Sequence, residues 1–105
     1  MPYPIINLAT ARTTDGTLDS VTYEGTNERA DVYFTGTFDG ASVNIQASPL
    51  NDGSASGFVN ISGATAITDN TVKSLNIGQD TKLRAVISSA GASTELTIYA
   101  RYYKE

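Results

Sequence analysis

The chain contains no cysteine, no histidine and no tryptophan. Without cysteine there is no disulfide framework, no thiolate nucleophile and no Cys-based zinc site. Without histidine the usual general base near neutral pH is missing, and Ser-His-Asp and Cys-His constellations go with it. Charge is also scarce, at 17% of residues, with a formal net charge of −4. No basic cluster interrupts that acidic balance, so no nucleic-acid partner held by phosphate neutralisation is expected. No apolar run approaches the roughly 20 residues of a spanning helix, so no membrane partner is expected either. MPYPIINLAT lacks the basic start and the long apolar run of a secretory signal. The expectation is a protein made in a cytoplasm without export.

What the chain does have is a repeated alternation. From Phe34 to Tyr103, short runs of alternating apolar and polar residues are separated by breaks rich in Gly, Asn, Asp, Ser and Thr. A period of two puts one set of side chains in a core and the other in solvent. Many short strands with frequent turns predict an all-β fold, an antiparallel β-sandwich that is jelly-roll or immunoglobulin-like. Strands are expected near Val21–Thr26, Arg29–Thr35, Ser42–Ser48, Phe58–Ser62, Val72–Ile77, Lys82–Ser88 and Thr94–Tyr103. In the last, Leu96, Ile98, Ala100 and Tyr102 share one face, and Glu95, Thr97, Tyr99, Arg101 and Tyr103 share the other. Its length predicts a central strand. Asp39-Gly40 between two runs suits a type I′ hairpin, in which both turn positions need positive φ. PLNDGSASG at 49–57 reads as an exposed loop, and Val59 with Ile61, or Phe58 alone, as core.

Residues 1–20 read differently from 21–105, the expected sandwich domain. Pro2 and Pro4 favour extended backbone and block a helix. Tyr3, Ile5, Ile6 and Leu8 give the segment apolar weight, and Ala9–Ser20 is polar and turn-rich. This is an edge strand on the domain's own sheet, an extended arm reaching a neighbouring subunit, or a disordered segment.

Chemistry-bearing patterns are weak. Lys73, Lys82 and Lys104 formally allow a Ser-Lys dyad, but each lies near the end of an alternating run, where an exposed charge is the simpler account. The acidic residues are scattered, mostly in turns, without the paired arrangement of a glycosidase. Asp15, Asp39 and Asp52 each precede glycine, which is turn chemistry before metal chemistry. Asn51-Asp52-Gly53 offers oxygens to calcium, yet no DxDxDG spacing accompanies it. The glycines are isolated and form no phosphate-binding loop. Asn60-Ile61-Ser62 matches a glycosylation sequon. No enzyme, cofactor or metal site is expected. Tyr99, Arg101 and Tyr103 on one strand face, with Tyr3, Pro4, Ile5, Ile6 and Leu8, are the candidate protein-interface residues, because Tyr and Arg are favoured at interfaces.

GTFDGASVNIQASP at 36–49, followed by GFVNI at 57–61, LRAVIS at 83–88 and STELTI at 93–98, resembles small virion proteins of tailed bacteriophages. In those proteins an XFxGAxVxLQxSPDG…W/FxxV run precedes a YRAVVSGAGASTSLxV run. Here Leu50-Asn51-Asp52-Gly53 replaces the simple Asp-Gly after Pro49, and Phe58 stands where tryptophan is frequent. The likeness spans about two-thirds of the chain and marks no catalytic residue. It implies a capsid decoration (cement) protein on the outer surface of the virion, often a homotrimer, bridging subunits of the major capsid protein. The alternative is a tail, fibre or head-fibre module that binds host-surface glycan.

Overall fold

The structure is a computed structural model that describes residues 3–48, 57–78 and 80–105. The expected 49–57 loop and the Asn51-Asp52-Gly53 oxygens therefore lie outside the described residues, apart from Gly57. Among the described residues there are nine strands and no helix: β1 (Ile5–Arg12), β2 (Gly16–Thr17), β3 (Val21–Thr22), β4 (Arg29–Thr37), β5 (Ser42–Ser48), β6 (Val59–Asn60), β7 (Thr71–Asn76), β8 (Lys82–Ser88) and β9 (Glu95–Tyr102). One sheet runs β1-β9-β4-β7, and the other runs β2-β8-β5-β6 with β3 also on β8. All pairings are antiparallel. The two sheets pack face to face as a β-sandwich.

Alternation sets the core. Ala30, Val32 and Phe34 of β4 and Leu96, Ile98, Ala100 and Tyr102 of β9 turn inward from the first sheet. Val43 and Ile45 of β5 and Leu83, Ala85 and Ile87 of β8 meet them from the second. β9 lies between β1 and β4, in the sheet's interior, where a long, strictly alternating strand is paired on both sides. Each buried aliphatic side chain removes apolar surface from water, worth about 1.5–3 kcal/mol when fully buried.

The Asp39-Gly40 turn forms with both φ values positive, 46° and 87°, and Ala41 N–H donates to the Phe38 carbonyl at 2.9 Å. It is not a hairpin. β4 and β5 belong to different sheets, so the turn carries the chain across the sandwich. The β8–β9 connection also crosses between sheets, and the two crossings lock together. Ser93 N–H donates to Asp39 Oδ2 at 2.8 Å, and Thr94 Oγ1 donates to the Phe38 carbonyl at 2.7 Å. Asp15 Oδ1 accepts from Ala90 N–H at 2.8 Å on the same connection. Asp15 and Asp39 are thus turn carboxylates held by backbone donors.

Both edges of the first sheet depart from a flat, pairable strand. β1 carries register shifts between Asn7 and Ala9 and again between Ala9 and Arg12. Lys73 on β7 is in register with the core residue Val32, so a charged side chain stands on the core-facing side of this edge strand. Bulges and inward charges are how natural sheets discourage strand addition. On the second sheet, the 61–67 segment covers β5: Val43 and Ile67 exchange backbone hydrogen bonds at 2.9 Å, and Ile45 N–H donates to Ala64 O at 2.9 Å.

Candidate interaction face

The outer face of the first sheet gathers side chains from strands far apart in sequence. Register places Asn7, Tyr99, Tyr33 and Val72 in one transverse row. Ile5, Arg101, Asp31 and Ser74 form the next row. Non-core positions of alternating strands must point to this side, and β-branched and aromatic residues suit it. Tyr33 and Tyr99 stack with ring centroids 5.0 Å apart and planes 10° from parallel. At the end of the sheet, Tyr3 meets Tyr103 edge-on at 5.6 Å. The Arg101 guanidinium sits 4.5 Å from the centre of the Tyr3 ring. Ile5 and Val72 leave 56% and 50% of their surface exposed, large for aliphatic residues and both on this face.

The candidate interface residues divide between surface and core. Tyr3, Ile5, Tyr99, Arg101 and Tyr103 lie on the outer face or its end. Pro4 is half-buried, and its carbonyl accepts from Tyr102 N–H at 3.3 Å, extending the β1–β9 pairing. Ile6 packs against the core. Leu8 corrects the expectation: it is only 4% exposed and offers nothing to a partner. Leu8 follows Ile6 to the inward side by plain alternation, and at the bulge Ala9, which with Leu8 faces Ile98, turns inward as well. Tyr33 and Val72 belong to the face but were not among the candidates. The alternation of Asp31 and Tyr33 with buried neighbours showed that Tyr33 faces out, but not that it would meet Tyr99.

Charge on the face is partly paired. Ser74 Oγ donates to Asp31 Oδ1 at 2.6 Å, and Arg29 approaches the same oxygen at 3.4 Å. A shallow depression of ≈ 480 Å³ opens beside them, lined by Tyr3, Asn27, Arg29, Asp31, Arg101 and Tyr103 together with Ala30 and Tyr102. Just beneath, buried Tyr23 holds the loop leading into β4. Its hydroxyl lies 2.9 Å from the Asn27 carbonyl and 2.8 Å from the Arg29 carbonyl. Burial, with the neighbouring Tyr102 adding to it, pushes the Tyr23 hydroxyl pKa above its ordinary value.

The outer face of the second sheet differs in kind. Arg84 lies 3.9 Å from the centre of the Phe58 ring, donates to Gln46 Oε1 at 2.8 Å, and Gln46 in turn donates to Asn60 Oδ1 at 3.1 Å. Phe58 therefore packs under an arginine at the surface, and Val59, expected as a core alternative, is 65% exposed. Lys104 is paired with Glu24 at 3.1 Å. Among the described residues no group of three or more His, Cys, Asp or Glu side chains is placed to hold a metal ion. No described helix is long and apolar enough to cross a membrane. The chain matches no family model, no curated protein and no solved structure.

Proposed function

We propose that this protein is a structural virion component that binds the outer surface of a bacteriophage capsid and stabilises the shell by bridging neighbouring subunits of the major capsid protein. The observation that carries the reading is the outer face of β1-β9-β4-β7, where Tyr33, Tyr99 and Arg101 project from one side of the sheet and Tyr3 and Tyr103 adjoin its end. Tyr and Arg supply large contact area with polar tips and are over-represented where protein interfaces bind most strongly. The bulged β1 and the charged Lys73 on the core-facing side of β7 disfavour strand addition. Partner contact then falls to the side chains of the face. The sequence runs at 36–49, 57–61, 83–88 and 93–98, similar to those of small phage virion proteins, give the kind of partner. Many weak, repeated contacts suffice on a shell with many copies, because each added attachment raises avidity without a single strong site. A homotrimer belongs to the same reading.

The test is cosedimentation of the purified protein with undecorated shells. Saturable binding is expected, weakened in a Tyr33→Ser, Tyr99→Ser double variant that remains folded. Absence of binding to shells, with binding to host glycans on an array, would reassign the protein to a tail or fibre.

A further inference from the structure

Asp31 and Arg101 are directly opposite one another in the β4–β9 pairing, the position at which a cross-strand ion pair normally forms. They form none. The Asp31 carboxylate is taken by Ser74 Oγ at 2.6 Å and Arg29 at 3.4 Å. Arg101 turns toward Tyr3 instead, with its guanidinium over the ring.

The other arginines of the chain are engaged. Arg12 donates to the carbonyls of Thr14 and Asp15, both at 3.1 Å. Arg29 bonds Asp31 and Ser74, and Arg84 bonds Gln46. Of Arg12, Arg29, Arg84 and Arg101, only the Arg101 guanidinium makes no hydrogen bond or ion pair with a described side chain or carbonyl. It is nevertheless positioned, because it sits over the Tyr3 ring and Tyr103 meets Tyr3 edge-on. A guanidinium that sits over an aromatic ring and bonds no protein acceptor keeps its N–H donors available for a carboxylate, which its planar fork can hold in bidentate fashion.

We infer that the depression lined by Tyr3, Asn27, Arg29, Asp31, Arg101 and Tyr103 is a binding site for an acidic segment of a protein partner, with Arg101 receiving one of its carboxylates. Charge complementarity selects the ligand. Arg29, Arg101 and Asp31 sum to a single positive charge at the site, in a chain whose net charge is −4. A carboxylate, with one negative charge, matches that sum, whereas a phosphate dianion exceeds it. The depression is shallow and continuous with the tyrosine face, so it suits a side chain carried on a protein surface. The inference rests on the proposal that this face meets a protein, and it names the chemistry of that partner.

The probe is the acetylated, amidated hexapeptide Gly-Glu-Gly-Glu-Gly-Glu, with its Gln counterpart as control, titrated into the 15N-labelled protein. Saturable shifts are expected at the amides of Tyr3, Arg101 and Tyr103 and at Arg101 Nε, with the Gln peptide silent. Arg101→Gln is expected to weaken the glutamate peptide about tenfold, as loss of one charge-assisted bidentate contact implies, and Arg101→Lys to restore only part of it. Added salt is expected to weaken binding as well. Equal shifts with both peptides, unchanged affinity in Arg101→Gln, or shifts produced by 3′-sialyllactose but not by the peptide would overturn the site. If the wild-type protein binds the peptide but not capsid shells, the virion assignment falls and the carboxylate site stands.

Discussion

Tyr33 of β4 and Tyr99 of β9 face each other in register with their rings stacked 5.0 Å apart on the solvent side of the sheet. The two residues are brought together only by the pairing of strands distant in sequence. Cross-strand aromatic pairs of this kind contribute about 0.5–1.5 kcal/mol beyond the area they bury. A double-mutant cycle with Tyr33→Ala and Tyr99→Ala, read by urea unfolding, is expected to return a coupling in that range. A coupling indistinguishable from zero would make the stack a consequence of the sheet and not a contributor to it.

Tyr23 is the second place where one side chain organises the site. Its hydroxyl proton is shared between the carbonyls of Asn27 and Arg29, which fixes the loop carrying two lining residues of the depression. Tyr23→Phe leaves those carbonyls without this donor, at an expected cost of about 1–3 kcal/mol. A Cβ at Gly25 would run into the same hydroxyl, so Gly25→Ala is expected to dislodge it. The titration has a definite sign. The folded-state pKa lies above the ordinary value, chiefly through burial and secondarily through Tyr102. The stability linked to Tyr23 is therefore fully present below the unfolded phenol pKa of about 10 and is lost as pH rises through the folded value. Denaturant melts taken between neutral and strongly alkaline pH should show a decline that is smaller in Tyr23→Phe. An identical decline in both proteins would assign the alkaline sensitivity elsewhere.

The sequence was most legible where a strand alternates without interruption. In β9, Leu96, Ile98, Ala100 and Tyr102 are buried and the intervening residues face out, because a two-residue period leaves only one such arrangement. Legibility ended at register. Asp39-Gly40 determines two positive φ angles, but local turn chemistry carries no information about whether the next strand pairs with β4 or crosses to the other sheet. Ile6 and Leu8 keep the period of two, whereas Ala9 is buried beside Leu8 because a bulge resets the alternation of β1, and nothing in IINLAT marks where the extra residue falls. The Tyr33–Tyr99 stack and the diverted Arg101 both depend on which residues end up opposite one another. Two-residue strands such as β2 and β6 are too short to show any period, so Gly16–Thr17 lay hidden in a polar stretch.

The clamp between the two sheet crossings predicts a graded response at Asp39. This residue combines a positive φ of 46° with a carboxylate oxygen that accepts from Ser93 N–H at 2.8 Å. Asparagine tolerates the same backbone region and keeps an acceptor oxygen, whereas alanine has neither property. Asp39→Asn is expected to cost under about 0.5 kcal/mol, and Asp39→Ala about 1–2 kcal/mol, from strain and a lost hydrogen bond. For a domain of this size that difference is a thermal midpoint shift of roughly 4–8 °C per kcal/mol. Equal midpoints for the two variants would mean that the hydrogen bond from Ser93 and the turn conformation do not limit stability.

Neighbouring positions on β1 separate folding from docking. Leu8 is 4% exposed and Ile5 is 56% exposed, although both are apolar residues of the same edge strand. Truncating a buried leucine removes its transfer energy and leaves a cavity, so Leu8→Ala is expected to cost about 2–5 kcal/mol. Ile5→Ser alters a side chain that is largely in water already, and its expected effect on stability is within about 0.5 kcal/mol. If the β1–β9 face meets a partner, the order reverses in a binding assay. Ile5→Ser, folded as well as wild type, should cosediment less with capsid shells, because Ile5 stands beside Arg101 in the transverse row. Circular dichroism melts of the two variants check the first half, and cosedimentation of Ile5→Ser checks the second. A destabilised Ile5→Ser with an unaffected Leu8→Ala would exchange the inward and outward sides of β1.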